Sequence, residues 1–264
     1  MADNPNPNIE EIAAAPAEAP AKKKGIKRRI FLAGSALLVG GGVFGLYWSD
    51  NSARSRAKSL TTGAGEHNFL SWMKIAEDDT VTLFSPHIDF GQGTHTALGQ
   101  MLADELDADW SKLKVEQAPS DIAFANTALV QSFLGEMTGY PGVIAALPGV
   151  VVGMLTRSMN VQITGGSSAV RFTGQGGMRV IGAAVRLALI EEAADRLGVP
   201  AGELTTADSK VTHAASGRSL RYGELAAGAA GRSLSSDPTL KSRKDYKLIG
   251  KPVVRLDIPA KVDG

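Results

Sequence analysis

Two glycine-rich clusters contain the residue types that hold anions. The first covers residues 90–94 (FGQGT) and the second covers residues 164–168 (TGGSS), with residues 174–177 (GQGG) as its extension. Both precede a predicted helix, and backbone N–H groups at glycine turns and helix N-termini favour anionic ligands. Gln92 adds an amide, and Ser167 and Ser168 add hydroxyls. Each cluster alone is also compatible with an ordinary tight turn.

The two glycine clusters do not match the glycine motifs of nucleotide-binding folds. The first cluster lacks the third glycine of G-x-G-x-x-G and is not expected to open a βαβ unit with an acidic ribose partner. No Gly-Lys-Ser/Thr sequence follows any glycine run, which removes the phosphate loop of P-loop enzymes.

Two further chemistries receive weaker support. His87, Asp89 and His95 form a candidate metal set, but an imidazole in a strand is more often simply hydrogen-bonded. Residues 165–169 (GGSSA) approach the nucleophile elbow of serine hydrolases, yet residues 170–172 intervene before the expected helix. Asp208 and His213 stand too close together in a turn-like stretch to be good triad partners.

Hydrophobic periodicity predicts the elements that position the clusters. A strand hairpin is expected at 69–76 and 80–87, followed by a helix at 95–108 and a strand at 113–117. Residues 118–158 are expected to form a buried or partner-covered loop and helix, residues 160–164 a strand, and residues 176–197 a long helix that ends at Gly198. Two short strands at 202–217 and a short helix at 222–230 follow.

The two main helices each present an apolar stripe. The first stripe comprises Leu98, Met101, Leu102 and Leu106, and the second comprises Met178, Ile181, Val185, Leu189 and Leu197. The acids at the end of the first helix, Asp104, Glu105, Asp107 and Asp109, are expected on a solvated face. The last residues are expected to be turn-like and extended with nothing to pack upon, and Lys251 and Arg255 are expected to be solvated charges.

Composition excludes several functional classes. The chain has 264 residues and no cysteine, so it can supply neither a thiol nucleophile nor cysteine ligands for an iron–sulfur cluster. Six of the 28 basic residues fall within 22–29, which leaves 22 basic residues against 27 acidic residues elsewhere. That balance argues against nucleic-acid binding as a function.

The N-terminal part predicts export or anchoring. Residues 1–21 have the composition of a disordered tail. Residues 22–58 join the basic cluster to an uncharged run at 30–48, which as a helix would span about 28 Å. The sequence RRIFL at 28–32 looks like a twin-arginine export signal, and residues 55–57 (SRA) loosely fit a cleavage site. The rest of the chain is therefore expected on the periplasmic side, either exported or anchored.

Taken together, three segments resemble one family. Residues 91–98 (GQGTHTAL), 159–168 (MNVQITGGSS) and 249–264 (IGKPVVRLDIPAKVDG), in this order, resemble the molybdopterin-binding large subunit of the xanthine dehydrogenase and aldehyde oxidase family. The nearest branch is similar to the isoquinoline 1-oxidoreductase β-subunit, and the resemblance covers about residues 68–264. It implies an α+β fold, with a partial molybdopterin-binding domain at 65–240 and a lead-in to a further α/β domain at 241–264.

The resemblance also implies a cofactor, partners and a reaction. Molybdopterin, often as its cytosine dinucleotide, would contact Gly91, Gln92, Gly93, Gly165, Gly166, Ser167 and Ser168. The expected reaction is oxidation of an aldehyde or N-heterocycle with water-derived oxygen, with electrons leaving through a small [2Fe-2S] subunit and onward to a cytochrome c. A catalytic glutamate is expected outside this chain, in a polypeptide that completes the large subunit.

A non-catalytic role is the alternative, namely a membrane-tethered fragment or assembly module. Under either interpretation, stripes patterned for a larger core predict exposed apolar surface when the chain is alone.

Overall fold

The computed structural model of the protein describes residues 52–136, 149–164 and 166–262. The predicted tail, the uncharged run at 30–48 and part of the 118–158 region lie outside these residues. Within the described ranges, no helix is both long and apolar enough to cross a membrane. The elements are mixed helices and strands, as the expected α+β class requires.

A four-stranded sheet carries the first glycine cluster. A helix over 52–61 (α1) precedes strands β1 (Glu66–Phe69), β2 (Met73–Ala76), β3 (Val81–Ser85) and β4 (Leu113–Gln117), which lie in the order β1-β2-β3-β4. The predicted hairpin is confirmed for β2 and β3, which pair antiparallel. The predicted strand at 69–76 breaks after Phe69 because Leu70 adopts a left-handed φ of 57°.

Helix α2 (Thr94–Leu106) crosses from β3 to β4, and these two strands are parallel. The first glycine cluster therefore does open a β-α-β unit, contrary to the expectation from its sequence. The third glycine of the dinucleotide fingerprint is still absent, since Thr96 stands there.

Apart from short 3₁₀ turns, the remaining described helices and strands follow in chain order. They are α3 (Thr127–Glu136), α4 (Gly149–Ser158), a π-helix (Ala169–Met178), α5 (Arg179–Leu197), strands β5 (Leu204–Ala207), β6 (Lys210–His213) and β7 (Arg218–Arg221), α6 (Tyr222–Ala229) and α7 (Pro259–Val262). Strands β5, β6 and β7 form an antiparallel sheet in that order. The helices predicted at 95–108, 176–197 and 222–230 are confirmed, with ends shifted by up to three residues. The predicted strand at 160–164 is wrong, since residues 161–164 have no regular structure.

Helices α2 and α5 pack closely through their predicted stripes. Leu98, Leu102 and Leu106 are fully buried, as are Val185 and Leu189 from α5. A β-carbon on Gly182 would lie 2.6 Å from the carbonyl oxygen of Leu102, so only glycine permits this crossing. Both apolar stripes therefore pack against residues of this chain. Other large apolar side chains are exposed, both on helices, as at Leu155 and Leu187, and on loops, as at Phe90, Met159 and Val254.

The acidic end of α2 is buried, which contradicts the predicted solvated face. Asp104 is 2% exposed and Glu105 is completely buried. The carboxylate of Asp104 accepts the backbone N–H groups of three consecutive residues, 247–249, at 2.9–3.1 Å. Glu105 accepts a hydrogen bond from Arg179 Nε at 2.8 Å and lies 2.6 Å from Arg179 Nη2 in the same ion pair, and it accepts another hydrogen bond from the backbone of Lys241.

Asp107 completes this acidic cluster at the end of α2. Its carboxylate lies 2.7 Å from Lys241 Nζ and 2.9 Å from Lys247 Nζ, and it accepts a bond from the Thr206 hydroxyl. Burial alone would raise the pKa of Asp107, but hydrogen bonds from these three side chains outweigh it and lower the pKa. Asp109, the fourth acid of the predicted face, is half-buried and caps a short 3₁₀ turn through Ser111.

The segment over 241–256 therefore packs on α2, although its sequence suggested that it had nothing to pack upon. It contributes only a short 3₁₀ turn, so its backbone N–H groups need side-chain acceptors. The acids of α2 supply those acceptors.

Replacing Asp104 by alanine should loosen this segment. Removing the carboxylate leaves three backbone N–H groups without their acceptor, and we expect a loss of about 2–4 kcal/mol in the free energy of unfolding. Thermal unfolding and the rate of tryptic cleavage within 241–251 measure the effect. Asp237→Ala, which changes an exposed acid, is the matched control. Equal melting temperatures and cleavage rates for the two variants would contradict the assignment.

Candidate functional site

The first glycine loop spans residues 86–93, between β3 and α2. Gly91 and Gly93 have φ angles of 112° and 78°, which favour glycine over other residues. A β-carbon at either position would meet no other atom within 4 Å. The backbone of this loop is therefore open to a ligand on the side where a side chain would otherwise project.

The loop's own Asp89 uses three of the N–H groups that were expected to bind an anion. Its carboxylate accepts from the backbone of Gly91 at 3.0 Å, Gly93 at 3.3 Å and His95 at 3.0 Å. Burial alone would raise the pKa of Asp89, but these hydrogen bonds lower it overall, so the carboxylate is ionised at neutral pH. The expected anion cradle of backbone N–H groups is thus occupied by a side chain of the same loop.

Gln92 stabilises the first loop through two hydrogen bonds to its backbone. Its Oε1 accepts the backbone N–H of Phe90 at 2.8 Å, and its Nε2 donates to the carbonyl of Ile88 at 2.8 Å. An amide nitrogen carries two hydrogens. The second hydrogen of Gln92 Nε2 has no acceptor within the described part of the chain. Gln92 can therefore stabilise the loop and still donate to a ligand.

A buried histidine connects the first loop to the helix that follows the second. His87 is completely buried, and its Nε2 lies 2.8 Å from the hydroxyl of Thr173 in the π-helix. The amide of Asn126 donates to the same Nε2 at 3.2 Å and to that hydroxyl at 2.8 Å. Burial lowers the pKa of His87 to about 4, so its imidazole is neutral at pH 7.

The second loop lies beside the first. The hydroxyl of Thr164 accepts the backbone N–H of Ile88 at 3.1 Å. Gly166 and Ser167 are exposed, and a β-carbon on Gly166 would meet nothing within 4 Å. Helical structure begins at Ser167, immediately after Gly166. Gly165 falls outside the described residues, so its predicted contact stays a prediction.

The glycines at 174–177 do not form a loop. They lie inside the π-helix, where a β-carbon on Gly174 would collide with the sulfur of Met101 and one on Gly177 would press on the β-carbon of Ala128. These glycines allow the helices to pack closely, and they are not part of an anion-binding turn.

The third segment reaches the first loop through Arg255. Its Nη1 donates to the carbonyl of Gly91 at 2.6 Å, and its Nη2 lies 3.4 Å from the carboxylate of Asp89. The same guanidinium forms a two-point ion pair with Asp257, at 2.7 and 2.9 Å. Arg255 is therefore not the solvated charge that the sequence suggested, and all three segments behind the family resemblance meet around the first loop.

The two alternative chemistries gain little from this geometry. His95 Nε2 is bonded to the carbonyl of His87, and the Asp89 carboxylate accepts the backbone bonds described above. No group of three or more His, Cys, Asp or Glu residues in the described ranges could hold a metal ion. His213 pairs with Glu203 and Ser216 within a small antiparallel sheet, rather than with Ser167 or Ser168. The helical start at Ser167 does remove one objection to a nucleophile elbow, since no residues intervene before the helix.

Comparison with known proteins decides the family. A sequence model described as "Molybdopterin cofactor-binding domain" matches residues 10–140 of the chain, which includes the first loop. The chain belongs to this molybdopterin-binding family.

Three relatives accompany this molybdopterin-binding match. The beta subunit of isoquinoline 1-oxidoreductase from Brevundimonas diminuta is 32% identical over 73% of this chain and 25% of its own length. The B subunit of nicotinate dehydrogenase from Pseudomonas putida is 30% identical over 79% of this chain and 14% of its length. A membrane-bound aldehyde dehydrogenase (pyrroloquinoline-quinone) of Gluconacetobacter polyoxogenes is 29% identical over 76% and 22%. The chain thus spans a quarter or less of the length of these relatives.

Two residues that shape the first loop escaped the sequence analysis. Asp89 was considered only as a metal ligand, although an Asp two residues before one glycine and four before another is a typical side-chain-to-backbone turn. The contact of Arg255 with Gly91 joins residues 164 positions apart, so no local sequence pattern predicts it.

The buried imidazole predicts a specific loss of stability in acid. The folded pKa of His87 lies below its ordinary value of 6.5, so its contribution is complete above pH 6.5 and is lost as the pH falls toward 4. At about 1.4 kcal/mol per pH unit, the loss approaches roughly 3 kcal/mol.

Melting temperatures measured between pH 7 and pH 4.5 test this loss. Carboxylates with lowered pKa values titrate mostly below that window. We expect His87→Gln to melt with a flatter pH profile than the wild type, while His67→Gln, a change outside the loop network, keeps the wild-type slope. Parallel profiles for all three proteins would show that folding does not lower the pKa of His87.

Proposed function

We propose that this chain forms the N-terminal cofactor-binding portion of a molybdenum hydroxylase large subunit. The assembly would oxidise an aldehyde or an N-heterocycle with oxygen taken from water. The meeting of the three motif segments around the first loop carries this proposal, because Thr164 contacts Ile88, Arg255 contacts Gly91, and the glycine backbone of the loop is open to a ligand. The names of the three relatives, all oxidoreductases, support the substrate classes.

The residues fit the cofactor through an open backbone rather than through a cradle of N–H groups. Gly91, Gly93 and Gly166 leave space for a bulky group to approach the chain closely. The remaining N–H of Gln92 and the hydroxyls of Ser167 and Ser168 would donate to the pterin or phosphate oxygens, with the cytosine dinucleotide as the proposed form. When bound, the molybdenum would supply the two-electron oxidation of the substrate carbon.

The rest of the reaction belongs to partners. With no cysteine, the chain cannot ligate an iron–sulfur cluster, so we assign electron transfer to a small [2Fe-2S] subunit and then to a cytochrome c. The catalytic base is assigned to polypeptide sequence outside this chain. We place the domain on the periplasmic side of the inner membrane, because RRIFL at 28–32 precedes an uncharged run of 19 residues.

Molybdenum content tests the proposal. The chain, purified from its native membrane with its companions, should contain molybdenum, a polypeptide completing the large subunit and a cysteine-rich small subunit. Gly166→Val would fill the open space beside the second loop without meeting other atoms of the chain, and should reduce molybdenum occupancy to about a tenth or less.

The matched control is Gly202→Val, which also meets no atom within 4 Å but precedes β5. Equal occupancy in the two variants would remove the second loop from the cofactor site. A wild-type chain that is isolated alone and free of metal would favour the non-catalytic assembly module.

A further inference from the structure

Arg255 lies where the charge of the first loop must be balanced. The side chain of Asp89 is almost completely buried, and its carboxylate carries a negative charge among the N–H groups of Gly91, Gly93 and His95. That charge would repel an anionic ligand that approaches the glycine backbone. Within 4 Å of the Asp89 carboxylate, the guanidinium of Arg255 is the one cationic side chain in the described part of the chain.

The same guanidinium also fixes the backbone of the loop. Its Nη1 donates to the carbonyl oxygen of Gly91 at 2.6 Å. The two-point ion pair with Asp257 orients the guanidinium plane, so the hydrogen bond to Gly91 needs little further ordering. Arg255 therefore holds Gly91 at a φ of 112°, a conformation in which glycine otherwise moves freely.

We propose that Arg255 is a positioning residue for the cofactor loop, which fixes Gly91 and, while also paired with Asp257, offsets part of the charge of Asp89 so that an anionic pterin can bind beside the loop. The proposal rests on the proposed function for its ligand, but the effect on the loop itself does not. Lysine cannot reproduce this role fully, because one ammonium group cannot form the two-point pair and reach Gly91 in the same planar arrangement.

The segment that carries Arg255 is attached independently of it. The backbone N–H of Leu256 donates to the hydroxyl of Thr96 at 3.0 Å, and Asp104 holds residues 247–249. Arg255→Met should therefore leave the segment in place and change only the loop, which allows the variant to be interpreted.

Two measurements on the purified complex test this role. Hydrogen exchange of peptides covering 86–98 reports the amides bonded to Asp89, and elemental analysis reports molybdenum. We expect Arg255→Met to speed that exchange about five- to tenfold and to lower molybdenum occupancy, with Arg255→Lys intermediate. Lys251→Met, which removes an exposed positive charge from the same segment, should change neither.

Several results would overturn the role of Arg255. Unchanged exchange in Arg255→Met would show that the loop holds its shape without the guanidinium. Faster exchange with normal molybdenum would show that cofactor binding does not depend on the loop's position. A wild-type complex without molybdenum would refute the proposed function instead, while the exchange comparison would still decide whether Arg255 holds Gly91.

A separate observation concerns the N-terminal side of the domain. The sequence at 55–57 loosely fits a cleavage site, yet these residues lie within α1, which is packed against the domain. Ala57 is completely buried, in a cluster with Phe84 and Phe124. The guanidinium of Arg56 pairs with both carboxylate oxygens of Asp121, at 2.6–2.7 Å.

A peptidase requires an extended substrate, and α1 would have to detach from the core to provide one. The twin-arginine route delivers proteins already folded. From the packing of α1 we infer that the bond after Ala57 survives export, so the apolar run at 30–48 remains as a membrane anchor only a few residues from the domain. This inference rests on the proposed export.

Fractionation of cells that express the full chain, followed by N-terminal sequencing, tests the anchor. We expect a membrane-bound chain with residues 53–57 intact and its domain accessible to protease from the periplasm. Asp121→Asn, which weakens the contact of α1, should increase tryptic cleavage at Arg56, whereas Asp237→Asn should not. A mature chain that begins at Lys58 would overturn the inference, and so would an intact chain in the soluble cytoplasmic fraction.

Discussion

The carboxylate of Asp104 sustains the arrangement of this domain. A stretch of chain with almost no secondary structure has to satisfy its N–H groups, and three of them converge on this one side chain at the end of α2. Lys241, Lys247 and Arg179 surround the acids next to it and offset the cost of their burial. Helix α2 thereby holds the C-terminal segment at one end and the glycine loop at the other, and Arg255 connects the two.

In the first loop, the polar groups are fixed by hydrogen bonds, whereas the glycine backbone is open to a ligand. Asp89, Gln92 and Thr164 use most of the polar groups of the first loop, so its shape is set before any ligand arrives. The open faces of Gly91 and Gly93 remain, and they offer space more than hydrogen bonds. A ligand held this way is selected by shape and by a few donors, and the loop loses little conformational entropy on binding.

Local patterns predicted the elements but not the tertiary polar contacts. Leu98, Leu102 and Val185 were predicted correctly as core residues because helical spacing directly reports a buried stripe. Asp104 and Glu105 were assigned to solvent because their partners lie more than 70 residues away, at Arg179 and in the segment after Lys241. The glycines at 174–177 resemble a loop in sequence, and only the proximity of Met101 shows that they serve helix packing. The open glycine faces of both loops followed from residue type, whereas the use of the first loop's N–H groups by Asp89 depended on its side-chain conformation.

The hydrogen bond between Arg255 and Gly91 has a consequence for biosynthesis. Its two residues are separated by 164 positions, so the ribosome must synthesise nearly the whole described chain before the loop can be secured. Closing so long a stretch of intervening chain is also entropically costly. The first loop is therefore secured only after translation has passed residue 255, so a ligand that needs the loop in this shape can bind only after that point.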